Sequence, residues 1–181
     1  VARYTIDSEK VAVSYEVTNE GTEDMPFFVG GHPGFKCPLD EGESYDDYEL
    51  RFEQREAAEL CTAVPSTGLI DVEHRSKNPM IGQNLPLTHE LFDFAETIFD
   101  VLESRVVTLT KKTEDKGVRL TFPDMPYLIV WSKPEGDFVA GEPGGGLSTC
   151  SDEDDVLEHK RGCLVAKPGE TVTRGFEIEI L

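Results

Sequence analysis

Positions 11–19, VAVSYEVTN, set Val11, Val13, Tyr15 and Val17 against Ala12, Ser14, Glu16 and Thr18. Alternation with a period of two is the mark of a half-buried strand. A polar turn around Gly21 follows, and apolar residues return as MPFFV at 25–29. Tyr48, Leu50 and Phe52 alternate with Glu49, Arg51 and Glu53, which predicts a further strand with one wet face. EAAELC at 56–61 predicts a helical turn, closed by the proline and glycine of VPSTGL. The polar stretch 70–90, broken by Asn78-Pro79 and Gly82, predicts a long loop or irregular edge. Thr88 is a candidate N-cap for LTHELFDF, where Leu91 and Phe92 sit at helical spacing, so a short helix is expected there.

Two β-branched runs, SRVVTLTKK at 104–112 and GVRLTF at 117–122, flank the charged turn TEDK and predict a hairpin. PYLIVWS at 126–132 reads as a buried strand, and Phe176, Ile178 and Ile180 alternate with Glu177 and Glu179 at the end. Many strands at short spacing, joined by Gly, Pro and Asp turns, predict an all-β chain: one antiparallel β-sandwich domain covering residues 1–181. No internal repeat of fixed period is visible.

Charge narrows the partners. Lys plus Arg number 17 against 36 Asp plus Glu, a formal net charge of −19, so a phosphate backbone or an anionic membrane surface would be repelled. No apolar run reaches the ~18 residues of a spanning helix and no basic-then-apolar leader is present, so neither nucleic acid nor membrane is expected as a partner, and the location is read as cytoplasmic. The four cysteines at 37, 61, 150 and 163 lack metal or redox spacing and are read as reduced structural thiols. The first residue is Val1 and strand-like sequence begins almost at once, so a fragment or processed chain is expected.

Candidate chemistry begins with VGGHPGFK at 29–36. Glycines permit backbone paths closed to other residues, Pro33 stiffens the turn and Phe35 offers a flat apolar wall, a frame able to fix the imidazole of His32. Histidine titrates near neutrality and serves as proton donor or acceptor, whereas the plain alternative is a turn histidine bonded to a carbonyl. Glu142, in AGEPGGG, is either a general base at a strand end or a solvated turn residue. Trp131 is either core or a platform for a sugar face. The triple glycine 144–146 lacks the GK[ST] of a phosphate cradle, and SDEDD at 151–155 lacks the order of a calcium loop and is read as a solvated acidic loop, so no metal is assigned. His74, His89 and His159 have no partners at ligand spacing and are read as surface histidines.

VSYEVTNEGTEDMPFFVGGHPGFKCPL, then LIVWSKPEGDFVAGEPGGGLST, then KRGCLVAKPGETVTRGFEIEIL together resemble, in the family's order, the aldose 1-epimerase (galactose mutarotase-like) family, in particular its LacX-like bacterial branch. The resemblance runs from about Val11 to Leu181 and implies an antiparallel β-supersandwich, here an incomplete one, since family members carry further sheet and substrate contacts ahead of this chain's start. It implies a reaction that interconverts the α and β anomers of a free hexose without metal or organic cofactor. His32 would be the general acid and Glu142 the base, with Phe35, Trp131 and an acid in LFDFAETIF contacting the sugar. Glu96 is preferred to Asp93 for that acid. The branch usually places tryptophan after Glu-Pro, and Gly144 stands here instead. Two other functions fit a sandwich: a non-catalytic carbohydrate-binding or regulatory module, and an interaction protein using exposed sheet edges. A truncated sandwich would expose apolar faces, making a homo-oligomer possible.

Overall fold

Period-two alternation turns into two stacked sheets, because each strand with one apolar face must bury it against another. The computed structural model describes all of residues 1–181. In chain order the strands are β1 (Ala2–Asp7), β2 (Lys10–Thr18), β3 (Met25–Phe27), β4 (Gly34–Lys36), β5 (Tyr48–Phe52), β6 (Leu60–Val64), β7 (Leu69–Ser76) and β8 (Asn84–Pro86). They continue as β9 (Thr97–Phe99), β10 (Val106–Lys111), β11 (Gly117–Thr121), β12 (Tyr127–Trp131), β13 (Phe138–Gly144), β14 (Leu164–Ala166) and β15 (Thr171–Ile180). One sheet has the order β1-β2-β15-β11-β10-β5-β8, the other β4-β13-β12-β9-β6-β7, and β14-β3 form a separate pair. Every ladder between these strands is antiparallel.

Register decides which side chains meet. β15 pairs with β2 so that Phe176 faces Val13 and Ile178 faces Val11, which stacks their apolar residues on one face. The expected hairpin forms between β10 and β11, with Val107 opposite Leu120. Leu50, Phe52, Leu109 and Leu120 of the seven-stranded sheet and Phe99, Leu128, Val130 and Val139 of the six-stranded sheet belong to one buried cluster, the core between the sheets. Ile98, next to Phe99, turns the other way and joins Cys61, Ile70, Leu147 and Cys150 on the far side. The six-stranded sheet is therefore covered on both faces over part of its area, and the uncovered part of its far face carries the candidate chemistry.

Four expectations need correcting. Residues 56–61 do not form a helical turn: Leu60 and Cys61 open β6, which pairs with β7 and, through Cys61 opposite Ile98, with β9. Of the two readings of 70–90, the irregular edge holds and the long loop does not, since the stretch contains most of β7 and all of β8. Both are edge strands, whose solvent-facing residues carry little apolar alternation. The expected helix near Thr88 is a short 3₁₀ turn, His89–Phe92, with no side-chain cap bond from Thr88. His89 is half-buried and stacked on Tyr45 with ring centroids 4.3 Å apart, whereas His74 and His159 are exposed and paired with Asp71 and Asp154.

All four cysteines are free thiols, with Cys37, Cys61 and Cys150 buried. Burial pushes Cys37 and Cys61 up to about 12, which keeps both as inert thiols at neutral pH. No helix is long and apolar enough to cross a membrane.

Candidate active site

β13 is the backbone of the site. Its pairing with β12 puts Glu142 opposite Ile129 and Ala140 opposite Trp131. Leu128 and Val130 point into the core, so alternation sends Ile129 and Trp131 to the far face together with Glu142.

The other edge of β13 receives the histidine loop. Gly30 bridges Gly144, and Gly34 of β4 faces Ala140. Counting two residues inward from either pair sets position 32 across from position 142. The segment is held by Gly31 N–H donating to the Pro143 carbonyl at 2.9 Å and Gly141 N–H donating to the Pro33 carbonyl at 3.2 Å. Residues 110 positions apart in the chain thus become cross-strand neighbours, with His32 Nε2 3.1 Å from Glu142 Oε1.

The glycines serve a different purpose from the one expected. Neither Gly30 nor Gly31 has a positive φ. A Cβ on Gly31 would lie 2.3 Å from the Phe176 ring, and one on Gly30 would lie 3.0 Å from the Pro143 carbonyl oxygen. Close packing, rather than unusual backbone geometry, demands their lack of a side chain. The same holds beyond Glu142: a Cβ on Gly146 would meet the Phe28 ring at 2.2 Å, while Gly145 N–H donates to the Val29 carbonyl at 2.9 Å. These contacts pin the loop that carries Ser148.

His32, Glu96, Ile129, Trp131, Glu142 and Ser148 line one open cleft of about 280 Å³. Trp131 meets the His32 ring edge-on at 6.4 Å and is braced edge-on by Phe138 at 5.5 Å. Of the two candidate acids, Glu96 lines this cleft, and Asp93 lines an adjoining cavity. Phe35 lies elsewhere: three positions past His32 it falls on the opposite face, pairs with Val139 and packs on the main core. Phe138, Ile129 and Ser148 were not singled out from sequence. Phe138 shares the parity of Glu142 along β13, a signal that alternation could have supplied.

Electrostatics separates the acids. The Glu142 side chain is 18% exposed against 62% for His32. Burial raises the Glu142 carboxyl above its ordinary value, the imidazole partly offsets this, and the Glu96 carboxylate adds to it. A carboxylate made more basic and touching an imidazole can exchange protons at two points of one bound molecule. No cluster of three or more His, Cys, Asp or Glu side chains is placed to hold a metal ion.

The acidic stretch 151–155 is solvent-exposed, as expected, except at Glu153, and is also tied down. Asp152 receives both Arg161 guanidinium nitrogens at 2.7 Å. The nearly buried Glu153 accepts from the Cys150 and Arg161 amides and from Lys160 Nζ at 3.1 Å. These bonds hold both carboxyls below the usual range despite the opposing effect of burial. The acids brace the segment just after Ser148.

A two-sheet antiparallel protein with a histidine–carboxylate pair and an aromatic wall on one sheet face belongs, by architecture, with the galactose mutarotase-like proteins. The aldose 1-epimerase family model matches residues 1–179, and the chain belongs to that family. It is 39% identical over 180 residues to two Lactococcus lactis subsp. lactis proteins, Protein LacX in plasmid and chromosomal forms, covering 98% of this chain and 60% of theirs. A galactose mutarotase-like protein from Lactobacillus casei ATCC 334 superposes with a TM-score of 0.85 at 28% identity, over 99% of this chain and 62% of that one. A galactose mutarotase related enzyme from Lactobacillus acidophilus does so with a TM-score of 0.86 at 28% identity, over 99% and 60%. The chain thus spans about 60% of the length of the curated relatives it matches.

Proposed function

We propose that this chain carries the acid–base pair of an aldose 1-epimerase acting on the anomers of a free hexose. The observation that carries the reading is the cross-strand contact of His32 and Glu142 beside Trp131 and Glu96. In ring opening, protonated His32 gives its proton to the ring oxygen while Glu142 takes the proton of the anomeric hydroxyl. The bond from the anomeric carbon to the ring oxygen breaks and a carbonyl forms at that carbon. Rotation about the adjacent carbon–carbon bond presents the other carbonyl face. On reclosure His32 recovers the proton from the former ring oxygen and Glu142 returns one to the new anomeric hydroxyl, so both groups end as they began. Concerted transfer avoids a fully charged intermediate. His32 and Glu142 touch in the free protein, so the sugar must part them, and the exposed imidazole has room to move. Trp131 offers an apolar wall for the pyranose, and Glu96 accepts from its hydroxyls.

The test is anomer exchange of fresh α-glucose and α-galactose followed by NMR, comparing wild type with His32→Ala and Glu142→Gln. Exchange above the uncatalysed rate that falls at least 100-fold in both variants supports the reading. Equal rates in all three remove it, and sugar binding without exchange favours a binding module instead.

A further inference from the structure

Sheet edges carry unpaired amides and carbonyls, and folded chains blunt them with short strands, proline or bulges. The two large sheets end in four edge strands. β4 has only three residues, β8 ends in Pro86, and β7 meets β6 through a break in register. β1 has none of these guards. It runs for six residues without proline, on an unbroken ladder to β2 from Ala2 opposite Tyr15 to Asp7 opposite Lys10.

Val1 and Glu16 exchange both of their main-chain bonds, at 2.6 and 2.8 Å. By alternation Arg3, Thr5 and Asp7 also bond to β2, so Tyr4 and Ile6 turn their N–H and C=O groups outward. Their side chains are uncovered as well. Tyr4 lies opposite Val13 and Ile6 opposite Val11, on the face that becomes the core farther along the sheet, yet the two are 68% and 76% exposed. Arg3, Thr5 and Asp7 occupy the other face. Arg3 bonds Glu16 through Nε and Nη2, which leaves Nη1 free, and the Asp7 carboxylate accepts only from the Ser8 hydroxyl, at 3.5 Å.

We propose that this edge pairs with the same edge of a second copy of the chain, β1 running antiparallel to β1 about a two-fold axis at Thr5. Of the two-fold registers open to the strand, only this one sets Arg3 of one copy opposite Asp7 of the other. It also sets Tyr4 opposite Ile6, so that outward groups meet outward groups and each such pair exchanges both main-chain bonds. Thr5 then meets Thr5. Opposite charges, an aromatic against a β-branched residue and threonine against threonine are the favourable cross-strand pairs of a sheet. The net charge of −19 on each copy opposes association, but β1 itself is neutral, with Arg3 balanced by Asp7. The two seven-stranded sheets become one.

Sedimentation equilibrium at about 0.15 M salt, where charges farther apart than about 8 Å are screened, tests the pairing. Wild type is expected to form a dimer, and its Tyr4 and Ile6 amides to exchange with deuterium more slowly as protein concentration rises. Arg3→Asp brings carboxylates together at both ends of the ladder and Asp7→Arg brings guanidiniums together, so each variant alone should weaken the dimer about tenfold or more. Both side chains are exposed, so neither change touches the core. Mixing the two variants restores both opposite-charge pairs, and a mixed dimer within about threefold of wild-type strength is expected. A wild type that stays monomeric up to about 1 mM overturns the proposal. So does a dimer that neither charge variant weakens, or a mixture no stronger than its components. A monomer whose Tyr4 and Ile6 amides are protected at every concentration has this edge covered by its own chain, and overturns it equally.

Discussion

Gly31→Ala is a one-carbon change that tests how the site is held. The added Cβ would sit 2.3 Å from one ring carbon of Phe176 and 2.9 Å from two others. Comfortable carbon–carbon contact lies at about 3.5–4.0 Å, so ring or loop must shift by more than about 1 Å. Phe176 is only 8% exposed, faces Val13 across β2 and lies 6.4 Å from the Tyr15 ring, which leaves it little space to retreat. Overpacking of this kind costs about 1–3 kcal/mol. If the loop yields instead, His32 is lifted from Glu142, and a misplacement near 1 Å costs about 100-fold in rate. Urea denaturation followed by Trp131 fluorescence measures the first quantity, and NMR anomer exchange the second. Phe176→Leu in the Gly31→Ala background removes the colliding ring edge and should recover about 1 kcal/mol beyond additivity. If Gly31→Ala changes stability by less than about 0.5 kcal/mol, or the two substitutions simply add, the close approach does not hold the loop.

Four further outcomes are expected. Under the proposed role of Glu142 as base, the acidic limb of the exchange rate should lie above the ordinary carboxylate range, because a base must be ionised and burial raises this carboxyl; a pH–rate profile limited at or below 4.5 would contradict this. The same raised value makes folding favour the protonated acid. The resulting penalty is absent at low pH, sets in as pH rises through the ordinary carboxylate range and is complete above the folded value. Wild type should therefore lose stability relative to Glu142→Gln as pH rises from the ordinary carboxylate range through the folded value, measured as the difference in urea midpoints. Phe99→Ala, at a side chain with 0% exposure, should destabilise by about 3–5 kcal/mol in the same assay. Phe138→Ala withdraws the brace behind Trp131 and should weaken glucose binding by about threefold to tenfold with little loss of stability, since aromatic pairs contribute about 0.5–1.5 kcal/mol.

Much of the fold was legible because alternation survives wherever one strand face is buried and the other wet. β2, β10, β11 and β15 come closest to that condition and appear in the sequence nearly as they do in the structure, whereas the wet face expected of β5 is covered, with Glu49 buried and Arg51 half-buried, and β12 was legible as a continuous apolar run. β6 and β7 do not, because their strand conformation comes from pairing with each other and with β9 rather than from local preference. His32 and Glu142 were legible through the surrounding glycines and prolines and through family resemblance. What placed them together, the register of the Gly30 to Gly34 segment against β13, has no local signature. Phe35 was misplaced for a related reason: nearness in sequence to His32 suggested a shared wall, while strand parity assigned the two to opposite faces. Phe138 shows the converse, a residue made visible only by its even spacing from Glu142 once β13 is known.

The three residues of β4 form the outermost strand of their sheet, anchored on β13 alone. Detaching this short margin breaks a few hydrogen bonds and leaves most of the inter-sheet core in place, so its amides should exchange with deuterium well before those of β12 or β10. The imidazole travels with that margin. Between detachments the histidine and carboxylate stay in contact, and during them the molecule is a folded protein with that contact broken, so under the proposed acid–base role any anomer exchange would be lost on warming before the globule itself melts.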